Sequence, residues 1–443
     1  MFPAMWTYYP ELLQRPVPRY TSYPTAADFD VQVGADTYAN ALRDIAPGSE
    51  VSLYVHIPFC EEICWYCGCN TARSNKRSRL TAYLDALQSE IAMVAALLPR
   101  HCRISRISFG GGSPNALEPL DFVRLLGDLV VAFKAENPLI SLEIDPRKMS
   151  RHWLSVIRAA HVTNASLGVQ SFNPAVQKAI GRVQPLELVR ILTDQLREAG
   201  IRSLNFDLMY GLPHQDQFSL METLEHAVEM EPERIALFGY AHVPSVIPRQ
   251  RRIDASALPD EETRFRMAGA GHDFLAQRGY SPVGFDHFAK PADPLAIAAK
   301  QGRLHRNFQG FTDDSAEYLI GLGASAISAF PGLYVQNTKN SGAYRAAIAH
   351  HRLPVERGVL RDAISRANGK RINDILCHGK TLLPADLSPV QHEHLEAFAR
   401  RGLISTSSGM LTLKPQAAPY TRTIAAIFDP RLNNQIGRFS APV

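Results

Sequence analysis

Four of the six cysteines lie within ten residues, and their spacing is the strongest chemical signal in the chain. The stretch reads Cys60-Glu-Glu-Ile-Cys64-Trp-Tyr-Cys67-Gly-Cys69 and follows an apolar run at 51–57. Neighbouring cysteines on a short loop seldom reach disulfide geometry. Three thiolates at spacings of four and three residues can instead face a common point, as the ligands of an iron–sulfur cluster or a soft metal do. Three ligands on a four-iron cluster leave one iron open to a substrate group.

A structural zinc knuckle is the alternative interpretation of the same loop. Zinc sites usually pair two short Cys or Cys/His knuckles that are separated by a dozen or more residues. The remaining cysteines, Cys102 and Cys377, are distant and isolated, so the sequence offers no second knuckle. The spacing therefore favours iron–sulfur chemistry over zinc.

Length and composition describe an ordinary soluble globular protein. The chain has 443 residues, of which 46% are apolar and 20% charged, enough for a large core and more than one domain. The net charge of +4 does not predict nucleic-acid binding, but it suits a polyanionic substrate. The clustered thiols and the lack of a secretory signal in residues 1–13 predict a cytoplasmic protein. The longest apolar run, residues 318–330, is too short to span a membrane.

Short β-rich segments alternate with longer amphipathic segments from residue 51 onward. The predicted strands are 51–57, 104–109, 140–144, 164–169, 203–209 and 234–238. The predicted helices include 77–98, 119–133, 188–199, 219–229 and 262–278. Repeated strand–helix units predict an α/β fold with a parallel sheet in a partial or full barrel. Active sites of such barrels form at the C-terminal ends of the strands, and the cysteine loop follows the first strand.

Glycines and polar residues mark the ends of the next four strands. Three glycines precede Ser113 at the end of the second strand; they permit close approach of a ligand, and a tight turn explains them equally well. Glu143, Gln170 and Asp207 lie at or within the third, fourth and fifth strands. An unpaired buried polar group costs about 1–3 kcal/mol. Such positions on four successive strands therefore indicate a shared ligand.

The chain outside the barrel divides into an arm and a small domain. Residues 1–48 are rich in proline and tyrosine, which disfavour a helix and suit an arm folded over a site. Residues 348–443 contain a predicted helix at 388–401 and a predicted hairpin that ends at 413, an α+β winged-helix-like pattern. No basic run accompanies it, so we expect a substrate cover rather than a nucleic-acid-binding module. The barrel would occupy residues 49–347.

The cysteine loop, with its aromatic residue Tyr66, resembles that of radical S-adenosylmethionine enzymes. Further motifs resemble the oxygen-independent coproporphyrinogen III oxidase family, also called coproporphyrinogen dehydrogenase. They are Arg19-Tyr-Thr-Ser-Tyr-Pro24, Tyr54-Val-His-Ile-Pro-Phe-Cys60, the Gly-Gly-Gly-Ser-Pro turn, Asp286-His-Phe-Ala289 and His305-Arg-Asn-Phe-Gln-Gly310. The resemblance runs from residue 19 to residue 337 and continues more thinly to the C-terminus.

The resemblance implies a partial (β/α)6-type radical S-adenosylmethionine barrel and a role for each matching residue. The [4Fe–4S] cluster would be ligated by Cys60, Cys64 and Cys67. A first S-adenosylmethionine would contact Tyr54, Gly111, Glu143 and Ile327. The adjoining region, where the family can hold a second molecule, would be lined by Tyr66, Gly112, Ser113, Gln170, Arg182, Asp207 and Ala241, with Cys69 and Gln309 beside it. The residues expected to act in catalysis are Cys69, Tyr54 and Glu143.

The reaction implied by the resemblance is the anaerobic oxidative decarboxylation of two propionates of coproporphyrinogen III. One electron would cleave S-adenosylmethionine to methionine and a 5′-deoxyadenosyl radical, which takes a hydrogen from the β-carbon of a propionate. Loss of CO2 and an electron would leave a vinyl group, and two rounds would give protoporphyrinogen IX for haem biosynthesis. We expect a reduced flavodoxin- or ferredoxin-type electron donor, a monomer, and neither a nucleic-acid nor a membrane partner.

Two other functions stay open from the sequence. A haem-chaperone branch of the superfamily usually reads Cys-Asp-Phe where this chain has Cys67-Gly-Cys69, and it lacks the 19–24 motif. A divergent paralogue acting on another substrate is kept open by departures from the family pattern near the C-terminus. There the chain reads Ile375-Leu-Cys-His-Gly-Lys380. We expect Asn368-Gly369 to interrupt the preceding helix and Gly379 to weaken a helix interior by about 1 kcal/mol.

Overall fold

One large sheet organises the protein, whose computed structural model describes residues 6–73 and 76–432. The first elements along the chain are α1 (Ala35–Arg43), β1 (Glu50–Ile57), β2 (Phe59–Cys60), β3 (Ala72–Arg73), α2 (Arg77–Leu97), β4 (Arg103–Gly111), α3 (Pro119–Phe133), β5 (Leu139–Ile144) and α4 (Arg151–Ala159). They are followed by β6 (Asn164–Gln170), α5 (Pro174–Ala179), α6 (Leu186–Glu198), β7 (Ser203–Tyr210), α7 (Gln217–Glu229), β8 (Arg234–Gly239) and α8 (Glu261–Gln277).

The remaining elements complete the two edges of the sheet and a smaller C-terminal unit. Up to residue 360 they are β9 (Ser281–Val283), β10 (His287–Ala289), α9 (Pro294–Lys300), β11 (His305–Asn307), β12 (Gly310–Thr312), β13 (Tyr318–Leu322), β14 (Ile327–Phe330), β15 (Leu333–Asn337), α10 (Ser341–Ala349) and β16 (Val355–Leu360). The last are α11 (Ala363–His378), β17 (Lys380–Leu382), α12 (Pro389–Arg400), β18 (Ile404–Ser407), β19 (Met410–Leu413) and α13 (Thr421–Ala426).

Parallel strands form the centre of the large sheet, in the order β13-β1-β4-β5-β6-β7-β8. All six predicted strands are present, each within two residues of its predicted bounds. The sequence analysis missed β13, whose apolar run was considered only as a membrane span. Antiparallel strands extend both edges, β14-β15-β16 beyond β13 and β10-β9 beyond β8. The sheet is therefore a partial barrel, as predicted.

The connecting helices bury one apolar face each against the sheet. In α2, Leu80, Leu87, Ile91 and Val94 are buried at intervals of three to seven residues, the period that an amphipathic crossover helix requires. The five predicted helices are present to within two residues at each end. The sequence analysis missed α4 and α5, because helices of nine and six residues are too short to show a helical period clearly. In the described parts of the chain, no helix is both long and apolar enough to cross a bilayer.

The N-terminal arm packs against the C-terminal segment rather than extending into solvent. Tyr20 is buried and its hydroxyl donates to Asp429 Oδ2 at 2.9 Å, while the Tyr9 amide donates to the Tyr420 hydroxyl at 2.9 Å. Strand β16, within the predicted C-terminal domain, pairs with β15 and so belongs to the large sheet. The division into 1–48, 49–347 and 348–443 stays a prediction.

Two expectations about the C-terminal departures were wrong. Helix α11 runs without a break through Asn368 and Gly369, and Gly369 lies where Tyr23 of the arm and Arg361 pack closely against the helix. Gly379 is not in a helix interior; it ends α11 in the left-handed conformation, with φ +64°, which glycine adopts without a steric penalty. The predicted helix and hairpin of this region are present as α12, β18 and β19, and β17 adds a third strand.

A buried carboxylate supports the sheet behind the cysteine loop. Glu90 of α2 accepts hydrogen bonds from the Gly323 amide at 2.7 Å, the Asn337 amide at 2.7 Å and the Tyr344 hydroxyl at 2.6 Å. Two turns earlier on α2, the Tyr83 hydroxyl donates to the His56 carbonyl at 2.7 Å. Helix α2 thus holds both the end of β1 and the turn after β13. Burial raises the pKa of Glu90 to about 7 from its ordinary 4.5, and the three donors partly offset this.

Replacing Glu90 should destabilise the protein although it is remote from the pocket. Glu90→Ala removes the acceptor of three buried hydrogen bonds, so we expect a loss of roughly 2–4 kcal/mol in the free energy of unfolding at pH 6. Urea denaturation followed by circular dichroism measures the change. Asp85→Ala, at an exposed position of the same helix, is the matched control and should change stability by less than about 0.5 kcal/mol.

The loss caused by Glu90→Ala should also depend on pH. The pKa of Glu90 is raised in the folded state, so its proton stabilises the fold below 4.5 and this contribution is lost as pH rises to about 7. The difference between the wild type and Glu90→Ala should therefore be larger at pH 5.5 than at pH 8. A difference that grows with pH would contradict this assignment.

Candidate active site

The cysteine loop is closed at its base by a short parallel bridge between β2 and β3. Phe59 pairs with Ala72 and Cys60 with Arg73, and the Ala72 amide donates to the Pro58 carbonyl at 2.8 Å. The two ends of the loop therefore lie next to each other, directly after β1. All of the cysteines are free thiols. This arrangement places the loop at the C-terminal edge of the parallel strands, as predicted for a barrel enzyme.

One pocket of ≈ 400 Å³ collects most of the residues singled out in the sequence. It is lined by Cys60, Cys64, Cys67, Cys69, Tyr66, Gly111, Gly112, Ser113, Glu143, Gln170, Arg182, Asp207 and Ala241. A second cavity of ≈ 400 Å³ inside the barrel is lined by Cys69, Glu143 and Asp207 together with Gln309. The structure thus brings these residues together, and their assignment to individual ligands stays a prediction.

Tyr54 and Ile327 are both neighbours of Gly321 in β13. Tyr54 stands opposite Gly321 in the register of β1 and β13, and a Cβ on Gly321 would lie 2.6 Å from the Ile327 carbonyl oxygen. The Tyr54 hydroxyl is 3.2 Å from His56 Nδ1, whose ring also contacts Ser325 at 3.2 Å. Neither Tyr54 nor Ile327 is among the side chains that line the two cavities in the described residues.

The glycines after β4 serve close packing rather than only a turn. A Cβ on Gly110 would lie 2.5 Å from Glu143 Oε1, and one on Gly112 would lie 2.5 Å from the Phe59 carbonyl oxygen. Gly111 has φ +105°, a conformation that favours glycine, and a Cβ there would overlap the His56 ring. Its amide donates to Glu143 Oε2 at 3.0 Å. Three different neighbours therefore each require a glycine.

Two buried guanidinium groups donate hydrogen bonds to the sulfur of Cys64. Arg182 Nη1 lies 3.3 Å and Arg147 Nη2 lies 3.5 Å from Cys64 Sγ. Asp145 holds both arginines, at 3.3 Å from Arg182 and 2.7 Å from Arg147. Such donors stabilise a thiolate and tune an iron–sulfur cluster bound to it. The residues present therefore fit an iron–sulfur cluster.

The sequence analysis missed Asp145 and Arg147 as site residues. They directly follow Glu143 at the end of β5, so their position after a strand was an available signal. Gln250 was also missed: its side-chain amide donates to the Tyr66 carbonyl at 2.9 Å and the Ala241 carbonyl at 3.0 Å. No motif predicted that contact, because Gln250 lies far along the chain in a short 3₁₀ segment.

The pocket shifts the pKa of its ionisable groups. Glu143 faces the open pocket with protein on its other sides, and this burial raises its pKa to about 7, partly offset by the Gly111 amide. A hydrogen bond with Cys69 lowers the pKa of Cys67 to about 6. Burial lowers the pKa of His56 to about 4, so this imidazole is neutral at physiological pH. Among the described residues, no group of three or more His, Cys, Asp or Glu side chains is placed so that it could hold a single metal ion.

Gln170 stands at a strained position in the pocket. It ends β6 with φ +68°, next to an irregularity in the pairing of β6 with β7. Left-handed backbone at a non-glycine residue is uncommon and is found at functional sites when neighbouring structure enforces it. Here the Gln184 side chain donates to the Val169 carbonyl at 2.6 Å, which holds the backbone just before Gln170.

Comparison with known proteins identifies the family. Residues 54–227 match the Radical SAM superfamily model. Oxygen-independent coproporphyrinogen III oxidases of Bradyrhizobium diazoefficiens and Paracoccus denitrificans are 39% and 40% identical, over 94% and 93% of this chain and 95% and 94% of theirs. The solved structure of coproporphyrinogen III oxidase from Escherichia coli matches with a TM-score of 0.86 at 33% identity, covering 96% of this chain and 99% of that chain.

The chain belongs to the oxygen-independent coproporphyrinogen III oxidase family. The resemblance based on the motifs is confirmed, and it extends to the C-terminal region where the motifs were thin. In this family member, the departures at Asn368-Gly369 and Gly379 occur in a helix that is continuous and normally capped. Cys377 is buried in a small apolar cluster with Val283, Leu295 and Phe311, as expected of a core thiol.

Substituting each clustered cysteine in turn should distinguish the cysteines that ligate the cluster from a cysteine that only lies beside it. We expect Cys69→Ala to retain iron and the cluster absorption but to lose porphyrinogen turnover, because Cys69 is a neighbour of the ligand Cys67 and its backbone amide, which donates to Cys67 Sγ at 3.4 Å, is kept in the variant. Cys60→Ala, Cys64→Ala and Cys67→Ala should each lose most of the bound iron. Iron and sulfide are measured after anaerobic reconstitution. A Cys69→Ala protein that cannot be reconstituted would show that the ligand assignment is wrong.

Proposed function

We propose that the pocket around the cysteine loop is the active site of a radical S-adenosylmethionine oxidoreductase acting on coproporphyrinogen III. The reaction is the oxidative decarboxylation of two propionates to vinyl groups, which gives protoporphyrinogen IX in haem biosynthesis. One observation carries this proposal: Cys60, Cys64 and Cys67 line the same pocket as Glu143 and the glycines after β4. That pocket lies in a chain whose relatives, covering nearly its whole length, are named for this reaction.

The cofactors are a [4Fe–4S] cluster and S-adenosylmethionine, which supply the one-electron chemistry that oxidises the propionate when bound. Cys60, Cys64 and Cys67 would hold the cluster. Glu143 and the backbone of Gly111 and Gly112 would hold S-adenosylmethionine. Tyr54 and Ile327, behind these residues, would support this first molecule. The chain supplies orientation, shielding from water and charge around these groups.

Glu143 provides a carboxylate that would bind the ammonium group of S-adenosylmethionine. The Gly111 amide fixes one of its oxygens at 3.0 Å, and the other remains available in the pocket. A charge-assisted hydrogen bond to the amino group of S-adenosylmethionine would stabilise the ionised carboxylate in the pocket.

Arg182 connects the cysteine loop to β6 through three of its donors. Its Nη2 donates to the Gly168 carbonyl at 2.6 Å, its Nε donates to the same carbonyl at 3.0 Å, and its Nη1 donates to Cys64. Arg182 therefore holds Cys64 relative to β6. Asp207, fixed by Ser166 and Asn205 at 2.9 and 2.8 Å, faces the same space, which suits the predicted second S-adenosylmethionine.

The electron donor, the oligomeric state and the cellular location are also proposals. A reduced flavodoxin- or ferredoxin-type protein would deliver the electron, and the enzyme would act as a cytoplasmic monomer without nucleic-acid or membrane partners. Size-exclusion chromatography with light scattering checks the monomer. Reduction of the reconstituted cluster by each purified donor checks the electron source.

Anaerobic turnover tests the function directly. Reconstituted protein with S-adenosylmethionine, a reductant and coproporphyrinogen III should yield protoporphyrinogen IX, with 5′-deoxyadenosine formed alongside it. Cys60→Ala is the inactive control, because it lacks a cluster ligand. Cleavage of S-adenosylmethionine without conversion of the porphyrinogen would indicate a divergent paralogue. Haem binding without either reaction would indicate a haem chaperone.

Binding of S-adenosylmethionine should weaken as Glu143 becomes protonated. Its pKa is raised to about 7, so the carboxylate that receives the ammonium is lost as pH falls through 7. From pH 7.5 to pH 6 the Kd of the reconstituted enzyme should rise roughly five- to tenfold. Glu143→Gln should bind weakly at both pH values, and Glu136→Gln, an exposed control, should follow the wild type. A Glu143→Gln protein with wild-type affinity would refute the contact.

A further inference from the structure

A group of arginines gathers at the C-terminal ends of β7 and β8, beside the cofactor pocket. The arginine cluster consists of Arg19, Arg264, Arg306 and Arg422. These residues come from the N-terminal arm, α8, β11 and α13 respectively. Arg264, Arg306 and Arg422 each lie within electrostatic range of Arg19. Four separate parts of the chain thus bring positive charge to one place.

The charge of this cluster is only partly balanced by the protein. Asp286 lies within electrostatic range of Arg306 and Arg422, and Glu261 lies within electrostatic range of Arg264, but neither forms a close ion pair with them. Within residues 6–73 and 76–432, none of the four guanidinium groups has a carboxylate oxygen within 4.0 Å. Asp286 is the one acidic residue that lines the adjoining cavity, and its carboxylate is 2.7 Å from His287 Nδ1. Burial, followed by the charge of Arg19, lowers the pKa of Arg422 to about 10. Buried charge without a partner is unfavourable by several kcal/mol.

Several donors of the cluster also lack acceptors. Arg264 Nε, Arg306 Nη1 and Arg422 Nη1 are inaccessible to water and have no hydrogen-bond partner among the described residues. Other donors are used structurally: Arg264 Nη2 donates to the Tyr240 carbonyl at 2.8 Å and Arg306 Nε to the Tyr20 carbonyl at 3.1 Å. The side chains are therefore held in place while three donors stay unused. Unsatisfied buried donors are rare and indicate a missing ligand or water.

A cavity beside the cluster has the size and lining for a small anionic group. It measures ≈ 50 Å³ and is lined by Arg19 and Arg422 with Tyr210, His272 and Asp286. This volume is on the order of several times the volume that one water requires, so the cavity has room for a few waters or for one carboxylate. It is too small for a nucleotide or for S-adenosylmethionine.

Arg19 connects this cavity with the cofactor pocket. It lines both of them, and its guanidinium lies 5.5 Å from the centre of the Phe238 ring, which faces the cofactor pocket. Arg19 Nη2 donates to the Gly239 carbonyl at 2.6 Å, at the end of β8. The two spaces therefore share Arg19 in their walls, which places the cluster beside any molecule bound in the cofactor pocket.

We propose that the arginine cluster binds a propionate of the substrate that is not decarboxylated. This inference rests on the proposed function, because it takes a porphyrinogen as the molecule in the adjoining pocket. The propionates that persist through the reaction are anions and need fixed counter-charge, and planar guanidinium groups recognise carboxylates through paired hydrogen bonds. Such an anchor would orient the macrocycle so that a reacting propionate points toward the cysteine loop.

Equilibrium binding of coproporphyrin III tests the anchor without turnover. This air-stable oxidised form carries the same propionates, and its fluorescence reports binding to the reconstituted holoenzyme. Arg422→Gln and Arg19→Gln should each raise its Kd roughly tenfold or more, the effect of losing a hydrogen bond to a charged group. The tetramethyl ester, which has no carboxylates, should bind the wild type and both variants equally. Arg400→Gln, at an exposed position of α12, should bind both ligands as the wild type does.

The remaining outcomes distinguish the alternatives. Unchanged affinity of Arg422→Gln and Arg19→Gln for coproporphyrin III would overturn the anchor and leave the proposed function intact. Equal weakening for the acid and the ester would assign the arginines a purely structural role, and thermal melting would then show the same loss. If added inorganic phosphate abolished the difference in Kd for coproporphyrin III between the wild type and the variants, the cluster would be a site for a free anion instead. A wild type that binds neither porphyrin would overturn the anchor and the proposed function together.

Discussion

The site depends on the main-chain pairing that holds the end of β4 against the start of the cysteine loop. The Gly112 amide donates to the Ile57 carbonyl at 2.9 Å, and the Ser113 amide donates to the Phe59 carbonyl at 2.8 Å. These bonds continue the β1–β4 ladder beyond the end of β1 and fix where the loop begins. They form only because glycine allows the two backbones to approach so closely. The thiols, Glu143 and the glycine backbone consequently share one pocket.

Buried polar groups stabilise this arrangement from both sides. Behind the sheet, Glu90 ties α2 to the turn after β13, and Tyr83 of the same helix holds the end of β1. In front of it, Asp145 orients the two guanidinium groups that donate to the Cys64 sulfur. A buried polar network rigidifies a site when each member is paired. Loop residues that would otherwise be mobile are thus positioned by helices and strands.

The terminal parts of the chain form one structure over the barrel ends. Tyr20 of the arm is bonded to Asp429, and Tyr23 packs where Gly369 leaves space on α11. The arm and the C-terminal segment therefore depend on each other, although nearly the whole chain separates them in sequence. Their meeting creates the arginine cluster, which neither segment could form alone. Because Arg19 also lines the cofactor pocket, this gives the regions outside the barrel a physical connection with that pocket.

The sequence by itself determined the parallel sheet of the barrel and the cysteine loop after its first strand, because these follow from local periodicity and from motifs at strand ends. Glu143, Gln170 and Asp207 could be recognised in the same way, whereas Arg182 and Ala241 were expected in the pocket only from the resemblance to the family. Long-range packing decided the rest. Strand β13 pairs with a strand more than two hundred residues earlier, and Arg147 and Gln250 reach the loop only through folding. Gly379 could be recognised as a helix cap only once the helix end was known. Contacts between distant segments depend on the relative placement of whole elements, and no local pattern encodes that placement.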